Sequence, residues 1–162
     1  MKRTIATVSA VAGMALSGSP ASAQMSVDTA RASLAPFYRA LNAAYVDEAP
    51  ELIKQSTAPD WVTCRGNDLC NSREEVIAGI APRLKAIPDL KWEIKELLVS
   101  GDRAIVRGEA TGTPAGPFMG VPRGGKSFRI MSIDVHTIKD GKLVRAYHVE
   151  DWMGAVRQLS SQ

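Results

Sequence analysis

Residues 126–150 read KSFRIMSIDVHTIKDGKLVRAYHVE, two alternating runs that meet at Asp140-Gly141. Phe128, Ile130, Ser132, Asp134 and His136 alternate with Arg129, Met131, Ile133 and Val135, the period of two that a strand imposes on its side chains. Asp-Gly is a strong hairpin signal, because the tightest turns need positive φ at their central residues. A two-residue turn pairs Lys139 with Lys142, and the register then runs His136 with Arg145, Asp134 with Tyr147, Ser132 with Val149 and Ile130 with Asp151. One face would carry Asp134, His136, Arg145, Tyr147 and Asp151. The other would carry Met131, Ile133, Val135, Val144 and Ala146.

Upstream, Lys91–Ser100 and Arg103–Thr113 also read as strands joined at Gly101-Asp102. Before Pro88 the period lengthens. Val27, Ala30, Leu34, Phe37, Tyr38, Leu41 and Tyr45 mark one face of a helix of four or five turns, and a second, short helix surrounds Leu52 and Ile53. Asp60–Cys64 is a short extended piece. Ser72-Arg73-Glu74-Glu75 fits a capping box for a third helix, with Val76, Ile77, Ile80 and Leu84 covered; Pro82 should bend it and Pro88 end it. Helices first and antiparallel strands second predict an α+β domain. Only the Gly/Pro-rich loop Pro114–Gly125 is long, which places it beside a cavity or an interface.

The first residues resemble a secretory leader. Lys2-Arg3 precede a weakly apolar stretch from Ile5 to Leu16, and Ala21-Ser22-Ala23 suits cleavage before Gln24. This divides the chain into a signal peptide, 1–23, and one domain, 24–162. The apolar run is about a dozen residues, short of the roughly 20 that span a bilayer, so no stable membrane insertion is expected. Residues 24–162 would act as an exported, periplasmic or secreted protein. The net charge of +3 from 20 Lys plus Arg against 17 Asp plus Glu falls to near +1 without Lys2 and Arg3, which argues against a nucleic-acid partner. In an oxidising compartment Cys64 and Cys70 are read as a disulfide, with reduced, packed thiols as the alternative. Their spacing, with only two histidines in the chain, does not suit a metal site.

Gly120-Val121-Pro122-Arg123-Gly124-Gly125-Lys126-Ser127 matches a phosphate-binding loop letter for letter. That motif works only where a helix follows and turns its amides on the phosphates. A strand follows here, so the segment is read as a turn.

The polar face of the final hairpin admits two readings. It is either a solvated sheet surface or the wall of a pocket in which a partly desolvated carboxylate shuttles protons. Pro88-Asp89-Leu90, Gly116-Pro117-Phe118-Met119-Gly120-Val121-Pro122, Gly125-Lys126, and Asp140-Gly141-Lys142 through Tyr147-His148-Val149-Glu150-Asp151 to Gln158-Leu159 together resemble the SnoaL-like polyketide cyclase, or ester cyclase, family of the nuclear-transport-factor-2-like superfamily. The likeness runs from about Leu34 to Leu159. It implies a cone in which a curved antiparallel sheet wraps N-terminal helices around an apolar cavity, and it favours the pocket.

The resemblance also implies acid–base catalysis of an intramolecular aldol closure on a polyketide-like or other small carbonyl or ester substrate, without metal or cofactor. The catalytic aspartate would be Asp151, with His136 or Tyr147 steadying the enolate. Asp134, Tyr147, Trp61, Trp92, Phe118 and Ile130 are the expected ligand-binding residues, although Trp61 and Trp92 are read first as simple packing. His148 is expected on the opposite face. Tyr147 stands where the family usually has Trp, and Pro114 where it often has His. A non-catalytic carrier of a hydrophobic small molecule is the alternative function. A homodimer through Met131, Ile133, Val135, Val144 and Ala146 is also expected.

Overall fold

A computed structural model describes residues 24–161; the leader and its cleavage site lie outside the described residues. Helix α1 (Val27–Ala40) starts at Ser26, whose side chain accepts from the Thr29 amide, and passes through a short 3-10 turn (Ala43–Tyr45) into α2 (Ala49–Ser56). Strands β1 (Thr57–Cys64) and β2 (Cys70–Ser72) form a small hairpin closed by a Cys64–Cys70 disulfide. Helix α3 (Arg73–Ala86) begins with the reciprocal Ser72/Glu75 capping box, continues through Pro82 and stops before Ile87-Pro88, where the residue ahead of a proline resists helical ψ. Strands β3 (Lys91–Ser100), β4 (Arg103–Gly112), β5 (Phe128–Lys139) and β6 (Lys142–Glu150) follow, and α4 (Trp152–Ser160) ends the described chain.

The six strands form one sheet in the order β2-β1-β6-β5-β4-β3. Neighbours are antiparallel except β1 and β6, which run parallel. The sheet is therefore mixed rather than purely antiparallel. Helix α4 is a further addition to the expected plan: Asp151 caps it, and Ala155 and Leu159 bury its inner face, four residues apart as helical packing requires.

The register of the β5–β6 hairpin departs from the one predicted from its turn. Lys139 pairs with Lys142 and Ile138 with Leu143, but the next pair is Thr137 with Arg145, which leaves Val144 as an extra residue. Beyond this bulge His136 faces Ala146, Asp134 faces His148 and Ser132 faces Glu150. Burial explains the slip. Leu143 and Ala146 are both buried, and an unbroken strand would turn residues three apart to opposite sides. Ala146, His148 and Glu150 accordingly turn inward, whereas Arg145, Tyr147 and Val149 turn outward. Ala146 thus leaves the apolar outer face assigned to it from sequence, and Met131, Tyr147 and Val149 stand exposed there.

Side chains from the inner face of the sheet and from the helices pack in two clusters. One joins α2, α3 and α4 to Phe128 and Ile130; the other joins α1 to Trp61, Val106, Leu143 and Ala146. The loop before β5 folds back on itself through paired hydrogen bonds between Phe118 and Val121, with Met119 and Gly120 at positive φ. It stacks Phe118 on Phe128 and against Trp152. Residues 120–127 lead directly into β5, so no helix N-terminus is present to hold a phosphate.

Closing so short a loop constrains the unfolded chain by about 2 kcal/mol. The double variant Cys64→Ser/Cys70→Ser should lose about that much stability in urea denaturation. An unchanged midpoint would show that the β1–β2 hairpin is held by its backbone pairing alone.

Candidate functional site

Between the inner face of the sheet and helices α1 and α3 lies a cavity of about 500 Å³. Phe37, Trp61, Ile80, Leu84, Ile87 and Trp92 make much of its wall apolar, and Asp134, His136, His148 and Glu150 supply a polar floor. Each of these four is directed inward by strand alternation on β5 or, past the bulge, on β6.

Asp134 is the centre of the floor. Its Oδ2 accepts from Tyr38 Oη at 3.0 Å and from Ser132 Oγ at 3.0 Å. Both bonds converge on one oxygen, and Oδ1 has no hydrogen-bond partner among the described residues. Gly108 of β4 lies opposite Ser132, and a Cβ there would stand 2.5 Å from Ser132 Oγ. The missing side chain leaves room for the hydroxyl that holds Asp134. Tyr38 reaches the floor from α1, whose C-terminal end is fastened by Asn42: its amide donates to the Tyr38 carbonyl and its Oδ1 accepts from the Trp92 backbone N–H.

Burial pushes the Asp134 carboxyl up from 3.8 to about 6; the hydrogen bonds from Ser132 and Tyr38 and the His148 charge work against this, and Glu150 adds to it. Burial, and then the charge and hydrogen bond of Asp134, push the Tyr38 phenol far above its usual range, so it stays a neutral donor. Its proton goes to Asp134, and His136 Nε2, 3.2 Å away, must then donate to Tyr38 Oη. Complete burial, with the nearby His148 adding to it, drives His136 down to about 3, so its imidazole is neutral near pH 7. His136 Nδ1 and Trp61 Nε1 are buried without partners among the described residues.

A second pair stands beside this chain. His148 Nδ1 lies 2.8 Å from Glu150 Oε1, and Trp152 Nε1 donates to Glu150 Oε2 at 3.3 Å. Burial works to raise the Glu150 carboxyl, but the bond and charge of His148, the Trp152 bond and the Arg83 charge hold it below its usual value. The ionised Glu150 therefore fixes the proton on His148 Nδ1, leaving Nε2 on the far side of the ring to meet a ligand. No three His, Cys, Asp or Glu side chains are grouped as a metal ligand set among the described residues.

Of the residues singled out from sequence, Asp134, His136, Trp61, Trp92 and Phe118 line this cavity. Ile130 does not; it packs in the core behind it. Tyr147 is outside, 46% exposed, because of the bulge. Asp151 is also displaced. Its Oδ1 accepts from the Gly154 amide at 2.7 Å as the cap of α4, its Oδ2 lies 3.7 Å from Arg157, and its side chain is half exposed. A carboxylate spent on a helix cap and half in water does not face the cavity. The position of a floor carboxyl belongs instead to Asp134, with Tyr38, Ser132, His148 and Glu150 as partners that sequence reading missed. Tyr38 was hidden in an apolar helical stripe. The spacing of Leu143 and Ala146 was the available signal for the other face of β6.

The family model for SnoaL-like polyketide cyclases matches residues 35–159. Similar solved structures include TsrD from Streptomyces laurentii, 27% identical over 82% of this chain and 98% of its own, with a TM-score of 0.66. AclR from Streptomyces galilaeus, a proposed hydroxylase, is 26% identical over 83% of this chain and 82% of its own, with a TM-score of 0.67. IdmH from Streptomyces antibioticus, a proposed polyketide cyclase, is 24% identical over 80% of this chain and 96% of its own, with a TM-score of 0.69. A search of curated protein sequences finds no match to the chain. The different reactions named for AclR and IdmH leave the chemistry to be argued from the floor rather than from the fold.

The carboxyl of Asp134 titrates at 3.8 when unfolded and at about 6 when folded, so the folded chain holds a proton that the unfolded chain releases. Stability therefore falls as pH rises from about 4 to about 6, and the full penalty, roughly 3 kcal/mol, stands above that. Asp134→Asn should gain more stability over the wild type at pH 8 than at pH 4 in paired urea titrations. An equal difference at the two pH values would mean that the carboxyl is not desolvated.

Proposed function

The chain belongs to the SnoaL-like polyketide cyclase family, and from that premise we propose that it closes a ring in a small hydrophobic carbonyl compound by acid–base catalysis. The observation that carries this reading is the Asp134 carboxyl, with one oxygen free, on the floor of a largely apolar cavity and titrating near neutrality. Asp134 Oδ1 removes a proton from the carbon α to a carbonyl. The enolate oxygen forms beside the His148 ring, which Glu150 holds through Nδ1 on the same floor. The enolate carbon then adds to a second carbonyl of the same molecule, and the new alkoxide takes the proton back from Asp134. Atoms and charge balance within substrate and floor.

Tyr38 and Ser132 are positioning residues in this scheme, since both hold Asp134 Oδ2 and leave Oδ1 open. His136 supports Tyr38 and, being neutral, adds no charge to the site. The Cys64–Cys70 disulfide supports placing the activity in an oxidising compartment.

The first half of the scheme can be tested without knowing the substrate. In D2O, the protein should accelerate deuterium exchange at the α-carbon of 1-tetralone, followed by NMR. The rate should rise through an apparent pKa near 6 and level off above it, because the ionised carboxylate is the base. Asp134→Asn should lower the rate by about 10²- to 10⁴-fold, the usual contribution of a positioned general base. Binding of 1-tetralone without faster exchange would favour a carrier, and exchange indifferent to Asp134→Asn would remove this residue from the mechanism.

A further inference from the structure

The residues that line the cavity divide sharply by exposure. Asp134 and His136 of the floor and Trp61 of the wall are buried, whereas the exposed lining residues are Arg65, Arg83 and Met119. The open rim therefore carries two guanidinium groups. Neither has a carboxylate within ion-pair distance among the described residues, in contrast to Arg39, Arg103, Arg107, Arg129 and Arg157. Arg83 is near enough to Glu150 to favour its ionised form, but forms no ion pair with it.

Arg65 is held in place. It follows Cys64 directly, its backbone N–H donates to the Leu69 carbonyl, and its Nη1 donates to Asn71 Oδ1 at 3.0 Å. Asn71 precedes Ser72 at the end of β2 and also lines the cavity. The disulfide between Cys64 and Cys70 ties the two ends of this short loop together. A guanidinium held by a neutral amide keeps its remaining N–H groups for another acceptor, and the planar fork suits a carboxylate. Arg83, from the last turn of α3, lines the same rim.

We infer that the natural ligand is an organic acid, with an apolar body and one carboxylate that binds Arg65 and Arg83 at the rim. The inference rests on the reading of this cavity as the substrate site, and it adds the ligand's charge and orientation. The acids Asp134 and Glu150 lie on the floor and would repel an anion, whereas the rim attracts one. The ligand therefore enters with its uncharged, carbonyl-bearing end first. Its carboxylate stays at the mouth, where the partly solvated arginines receive it without full desolvation.

All three tryptophans, Trp61, Trp92 and Trp152, line the cavity, so intrinsic fluorescence reports its occupancy. The test titrates the full protein with 4-cyclohexylbutanoate and, separately, with its methyl ester. The acid should bind at least about tenfold more tightly than the ester, as charge-assisted bonds to two arginines imply. Arg65→Gln/Arg83→Gln should remove that preference and leave ester affinity within about twofold, which also shows that the variant keeps its cavity. Equal binding of acid and ester, a preference that survives in the double variant, or no binding of either compound would overturn the inference. Equal binding of acid and ester by the wild type, with 1-tetralone exchange intact, would fault the rim alone. A retained preference without Asp134-dependent exchange would fault the catalytic reading alone.

Discussion

Leu143 and Ala146 lie three positions apart on β6, and both are hidden from water. A regular strand cannot bury both on one side, and the bulge at Val144 is how the chain meets that constraint. Everything beyond it on β6 follows. His148 comes to lie across from Asp134 and Glu150 across from Ser132, while Tyr147 and Val149 face outward. The parallel partner β1 is recruited to the far edge of the same strand, with Thr63 beside Ala146 and Cys64 beside Tyr147. A packing requirement on two apolar side chains thereby assembles the polar groups of the cavity.

The groups so assembled have divergent proton affinities, and the divergence comes from their surroundings. Asp134 and Glu150 are both carboxyls on the same floor, yet burial raises one, and an imidazole, an indole N–H and a guanidinium lower the other. Carboxyls of one site whose surroundings push their proton affinities apart can take separate roles in acid–base work. The neutral Tyr38 and His136 complete the arrangement by donating in sequence toward Asp134 without adding charge. Their order depends on Gly108, because any side chain at that position would collide with Ser132 Oγ and disturb Asp134.

Local signals were readable in the sequence, and non-local ones were not. The Asp140-Gly141 turn, the capping box at Ser72 and the bounds of β3 and β6 are set by residues within a few positions, and they are found where turn and cap chemistry places them. The bulge is decided by packing across strands that are distant in sequence, so an ideal hairpin register carried Tyr147 and Asp151 to the wrong side. Asp151 illustrates the cost. A carboxylate three residues before Gly154, with Ala155 and Leu159 four apart beyond it, is the signature of a helix cap. The alternating run before it drew attention to a strand instead. Tyr38 was out of reach for another reason: within an amphipathic helix a tyrosine reads as core until the partner of its hydroxyl is known.

A buried carboxyl that titrates near 6 is a standing burden on the fold, and its location shows how the burden is borne. Asp134 sits on β5, which is bonded to β4 on one side and β6 on the other. On an edge strand the carboxyl could escape to water by local opening, regaining its ordinary acidity at little cost. On β5 that escape would require breaking pairing on both sides. The backbone of the central strands therefore keeps the carboxyl desolvated, and the same rigidity that makes Asp134 costly for stability holds it ready for a ligand's proton.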